Sequence, residues 1–240
     1  MTKLNEVGLF GKLPAHGDFI YRNLPSHFIN AWDEWLQGFV ASSQQQLGND
    51  WLDIYLTSPI WRFVLSDGVV DGQAWAGVVL PSVDRVGRYF PFSVVTKAPA
   101  TTNPFSMIQQ HAWFDAVEQL ALSALSGHKQ LDELVHEINQ QHLSLSQAAQ
   151  RYPALSENAG ILVEFASEAP APERAYVHLM DNFCRQTYSN YSLWATAMGS
   201  ERINPCLFYT RGLPNYRSTA ALLDGQWAQW GWHQPVQTLP

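Results

Sequence analysis

The residues best suited to chemistry crowd a few short stretches of this chain. Lys12, His16, Asp18 and Arg22 follow the apolar segment Val7 to Phe10, and Arg62 interrupts the apolar run Ile60 to Leu65. Asp84, Arg85 and Arg88 lie between two more apolar segments. A guanidinium inside a half-buried strand must find carboxylates or carbonyls, because an uncompensated buried charge costs about 3–5 kcal/mol. The expectation is a pairing network, Asp18 or Asp84 with Arg62, Arg85 or Arg88. Two roles are open to it: it braces loops, or part of it faces outward as a recognition patch. Arg beside Trp and Tyr is the composition that interfaces favour.

Other chemistries leave weaker traces. Ser82 and Asp84, two residues apart, would set a hydroxyl and a carboxylate on one crevice, with His16 as a base from another loop. Geometry defines such a triad, and spacing alone does not supply it. Gly11-Lys12 lacks the earlier glycine and the following Ser or Thr of a phosphate loop. GxGxxG, GxSxG and HExxH are all missing. His178 and Asp181, three apart on an expected helix, make only half of a zinc site. His128, His136 and His142 do not share a helical face. Hence no metal and no cofactor is expected.

The elements that position these residues follow from periodicity. Val7 to Phe10 reads as a short buried strand running into the Gly- and Pro-containing loop 11–18. A helix starts near Pro25-Ser26, with Ser as its cap. It carries Phe28, Trp32, Trp35, Leu36 and Phe39 on one stripe and stops near Leu47-Gly48. Three strands follow, over 60–65, 75–80 and 89–95. Pro91 makes the last of them an edge strand or an irregular start. Asn103-Pro104 opens a helix that ends at Gly127; another carries Leu131, Leu134, Val135 and Ile138, and a shorter one is expected over 146–152.

A strand over 161–165, a break at 169–172 and a helix with Tyr176, Leu179, Met180 and Phe183 come next. Strands over 192–197 and 206–210 follow. Short connections favour antiparallel pairing, and segregated helices point to an α+β class: an antiparallel sheet sandwiched by helices, longin- or profilin-like. The division expected is residues 1–152 as one domain and 153–240 as a smaller α/β part packed on it. Trp227, Trp230 and Trp232 either anchor a partner or pack the terminus onto the core.

Composition bounds the function. Of the 240 residues, 46% are hydrophobic, which suits a globular core, and only 15% are charged. Phe, Trp and Tyr number 31, which fits a surface awaiting cover or a thick aromatic core. The net charge of −7 argues against general nucleic-acid binding and against anionic membranes. Ten of the 14 cations are Arg, which tolerates burial and bidentate pairing better than Lys. Cys184 and Cys206 form no CxxC pair and read as thiols in a reducing compartment. The opening Met1 to Glu6 shows no signal pattern and no apolar run reaches membrane length, so a soluble, cytoplasmic protein is expected.

Several strings in this chain are specific. Gly8-Leu9-Phe10-Gly11-Lys12-Leu13-Pro14, Gly17-Asp18-Phe19, Arg22-Asn23-Leu24-Pro25 and Trp32-Asp33-Glu34-Trp35-Leu36 open it. Ser58-Pro59-Ile60-Trp61-Arg62-Phe63 and Trp75-Ala76-Gly77-Val78 follow, then Pro81-Ser82-Val83-Asp84-Arg85-Val86-Gly87-Arg88-Tyr89-Phe90-Pro91. Together they resemble the TagF family, also called ImpM, most strongly over residues 6–97. The resemblance implies a non-enzymatic accessory protein of bacterial type VI secretion. It implies post-translational repression of the machine's assembly through binding to a forkhead-associated scaffold protein. It carries over no catalytic residue, so Lys12, Asp18, Arg22, Arg62, Asp84, Arg85 and Arg88 stand as binding or network candidates. The alternative is a hydrolase or phosphatase-like enzyme using Ser82, Asp84 and the arginines.

Overall fold

Strand and helix signals resolve into one antiparallel sheet between two helical layers. The computed structural model describes residues 7–127, 131–140, 148–151, 161–164 and 173–238. The strands are β1 (Val7–Gly11), β2 (Ile20–Arg22), β3 (Trp61–Leu65), β4 (Ala74–Leu80), β5 (Phe92–Ala98), β6 (Tyr191–Thr196) and β7 (Cys206–Arg211). Their order is β2-β1-β5-β4-β3-β6-β7, with every neighbouring pair antiparallel. Strands from both sides of position 152 therefore share one sheet, β6 pairing directly with β3 through Phe63 and Trp194.

The interior strands are buried on both faces, which explains their nearly unbroken apolar runs. Alternation sends Trp61, Phe63 and Leu65 of β3, with Trp75 and Val79 of β4, toward one helical layer. That layer contains α1 (Ser26–Leu47), α2 (Trp51–Leu56), the short α7 (Ala221–Asp224) and the C-terminal segment. Val64, Ala76, Val78 and Val94 point the other way, toward α3 (Pro104–Ile108), α4 (His111–Leu125), α5 (Leu131–Gln140) and α6 (Glu173–Tyr188). Gly77 sits where β3, β4 and β5 meet. A Cβ there would lie 2.4 Å from the Val94 carbonyl and 2.8 Å from the Phe63 ring.

Most expectations for the elements hold, with instructive departures. The α1 stripe of Phe28, Trp32, Trp35, Leu36 and Phe39 is buried as its spacing predicts. Ser26 makes no capping bond; Pro25 occupies the cap. Asn103 does cap, accepting from the Ser106 amide, but the helix after it breaks at Gln109–Gln110 into α3 and α4. Pro91 acts as an irregular start: β5 begins at Phe92 and lies inside the sheet between β1 and β4, not at an edge. β2 and α2 had no clear sequence signal. β2 has three residues with only Ile20 buried, and α2 is under two turns.

Residues 161–164 carry no strand. The described part of the helix expected over 146–152, residues 148–151, instead straps across the start of α3. Asn103 donates to the Ala149 carbonyl and Arg151 to the Thr101 carbonyl, so this backbone is engaged across the chain and not along a helix. Met1–Glu6, His128, His142, the break at 169–172 and the remainder of 146–152 lie outside the described residues. The C-terminal tryptophans pack inward: Trp227 and Trp232 flank Phe208, and the Trp230 indole donates to Asp224. Among the described residues, no helix is long and apolar enough to cross a membrane.

Candidate functional site

β4 leaves the sheet through Pro81 and Ser82 into a loop that a Val83–Tyr89 bridge closes before β5. Asp84 is buried at the centre of this loop. Its Oδ1 accepts from the amides of Val86 (3.0 Å) and Arg88 (2.9 Å). Its Oδ2 accepts from Lys12 Nζ (2.8 Å) and Arg88 Nε (2.7 Å). Gly87 turns the chain at φ +87°, a left-handed conformation that suits glycine, and donates its amide to the Asp84 carbonyl. Burial favours the neutral acid, yet Lys12, the two amides and the Arg88 guanidinium outweigh it. They hold the Asp84 carboxyl well below the usual carboxylate range.

The partner loop follows β1. Lys12 is buried, with its ammonium 4.9 Å from the Phe19 ring centre. The Ser82 hydroxyl donates to the Lys12 carbonyl (2.6 Å), the Arg85 amide to the His16 carbonyl (3.0 Å), and the Arg88 guanidinium to the Gly17 carbonyl. The Tyr55 hydroxyl donates to the Ser82 carbonyl and accepts from its amide. These bonds clasp the two loops over a buried charge. Arg85, Val86 and Gly87 are left outside it and exposed, and Phe19, which lines the cleft with Arg85, is exposed as well. Next to the clasp, His16, Asp18, Phe19, Arg22, Arg85 and Asp132 line a cleft of about 450 Å³.

The candidate residues therefore divide. Lys12, Asp84 and Arg88 form one ion-paired cluster. Asp18, Arg22 and Arg85 share the cleft without an ion pair among the described residues, and Arg22 donates to the Tyr21 carbonyl. Arg62 is elsewhere and meets neither Asp18 nor Asp84. Strand alternation turns it toward α4, where it grips Glu118 through Nε (2.6 Å) and Nη2 (2.9 Å), and Asp115 at 2.7 Å. The signal for those partners was two acids three residues apart on one helical face.

Sequence reasoning also missed Arg151. It reaches Asp181 (2.8 Å), Asp67 and the Ala100 carbonyl, while the Tyr191 hydroxyl donates to the same Asp181 oxygen (2.5 Å). Asp181 is thus an ion-pair partner and not half of a metal site with His178. No cluster of three or more metal-ligating side chains occurs among the described residues. Ser82, Asp84 and His16 do not form a triad: the Ser82 hydroxyl and the Asp84 carboxylate have other partners, and His16 Nε2 is buried with no hydrogen bond among the described residues.

A family model for the TagF N-terminal domain, type VI secretion system-associated, matches residues 8–141, a span that includes both clasped loops. Among curated proteins, none matches the chain. Among solved structures, the chain is similar to PA0076 from Pseudomonas aeruginosa PAO1, at 34% identity over 98% of each chain, with a TM-score of 0.79. With the family model covering more than half of its length, the chain belongs to the TagF family of type VI secretion system-associated proteins.

Proposed function

We propose that the protein is a non-enzymatic, cytoplasmic accessory protein that represses assembly of the type VI secretion machine after translation. It does so by binding the forkhead-associated scaffold protein of that system. The observation that carries this reading is the clasp: two loops of the family-matched region are locked around Asp84 and hold Arg85 and Val86 toward solvent. A rim already held in place loses little conformational freedom on association, and Arg with exposed aromatic and aliphatic side chains is interface composition.

The experiment is co-purification from cells carrying the secretion cluster, with the intact chain as bait. Wild type is expected to recover the scaffold. Arg85→Glu combined with Val86→Asp is expected to weaken capture by about 30-fold, the effect of a hot-spot change near 2 kcal/mol. Both side chains are exposed, so thermal stability stays at the wild-type value. Folded bait that recovers no scaffold overturns the proposal. So does turnover of ester or phosphate substrates that disappears in Ser82→Ala.

A further inference from the structure

α6 is apolar on two sides. One side packs inward through Ala175, Val177 and Cys184. The other carries Tyr176, Leu179, Met180 and Phe183, exposed at 58%, 40%, 38% and 52%. Steps of three, one and three align these four along a single stripe. A surface helix ordinarily turns polar residues outward, so an apolar outer stripe marks a surface that binds something. By the helical period, Arg174 and Arg185 project away from this stripe and bring no like charges onto it.

The stripe reads the same in both directions. Place a second copy antiparallel about a twofold axis between positions 179 and 180. Tyr176 then meets the other copy's Phe183, and Leu179 meets its Met180, each contact made twice. Self-complementarity of this kind is what an isologous interface requires, and a foreign helix would not require it. The apolar surface also continues onto the sheet. Leu207 and Tyr209 of the edge strand β7, exposed at 58% and 41%, pair with Ala195 and Leu193 and so share the α6 side. The Tyr209 ring lies 5.9 Å from that of Tyr188 at the end of α6. At these exposures the six side chains offer roughly 600 Å² per copy, about 1,200 Å² for two, which reaches the lower limit of specific interfaces.

We infer that the outer face of α6, extended by Leu207 and Tyr209 of β7, is a self-association surface through which two copies of this chain form an antiparallel twofold dimer. Sedimentation velocity of the full chain from about 1 to 100 µM tests it, the range where interfaces of this size associate. A dimer is expected. Phe183→Glu, and separately Leu179→Glu, is expected to raise its dissociation constant at least about tenfold, as a buried unpaired charge does. Circular dichroism should be unchanged, since both side chains are exposed.

Cysteine pairs report the geometry. Two Met180→Cys chains meet at the axis and should link on oxidation. Two Gln186→Cys chains sit about 20 Å apart along it and should not. A monomer throughout the concentration range overturns the inference. So does a dimer indifferent to both glutamate variants, or linkage at position 186 in place of 180.

Discussion

Asp84 shows how one side chain organises a surface it does not belong to. Its carboxylate takes four donors while the residues around it face solvent. Asp84→Asn keeps the shape but leaves Lys12 buried without its counter-charge, so a lower thermal midpoint is expected at neutral pH. The pH dependence has a definite sign. The folded carboxyl titrates below the unfolded value of about 3.9, so its stabilisation is complete above that value and is lost as pH falls toward the folded one. Thermal melts across a pH series should show a constant gap between wild type and Asp84→Asn from about pH 5 to 8, closing below about pH 4. Cys184 gives a second residue-level expectation. Burial pushes its thiol up to about 11, so at pH 8 about one molecule in a thousand holds the thiolate, and alkylation of the native chain should be slow until it unfolds. Reading residues alone set Asp84 with Arg88 among its pairings and named Lys12 without a partner. It misassigned Arg62, because nothing in the chain's order says which helix covers a given strand.

Elements carry the connections that the residues need. Arg151 joins four of them: the strap at 148–151, the loop after β3, α6 and β6. Asp181→Ala strands the buried guanidinium with Asp67 and the carbonyl and removes the acceptor of Tyr191. A loss of about 3–5 kcal/mol in denaturant unfolding is expected. Gly77→Ala tests the sheet's centre. The Val94 carbonyl cannot retreat without disturbing the β4–β5 ladder, so a cost of about 1–3 kcal/mol or more is expected in the same measurement. Long periodic elements such as α1 and α4 were legible because their stripes span several turns. β2 was not, since three residues with one buried side chain show no period. The strap was not either, because its pairing with Thr101 and Asn103 lies some fifty residues away in the chain.

At the scale of the molecule, both helical layers meet a sheet that has no polar side over most of its width. This accounts for the scarcity of charge and the abundance of rings. Trp32, Trp75 and Trp194 are fully buried, and Trp32 alone contacts Phe28, Trp35, Phe63 and Trp194. Trp32→Ala is expected to cost about 3–5 kcal/mol by calorimetry or denaturant titration. The aromatic count was legible from the start, but its division between interior and surface was not, because a ring count carries no direction. The family-matched span ends at residue 141, yet β3 takes its outer neighbour, β6, from residues 191–196. A fragment cut at that border would leave Trp61 to Leu65 as a naked, greasy rim with unsatisfied amides, the template from which chains stack into insoluble aggregates.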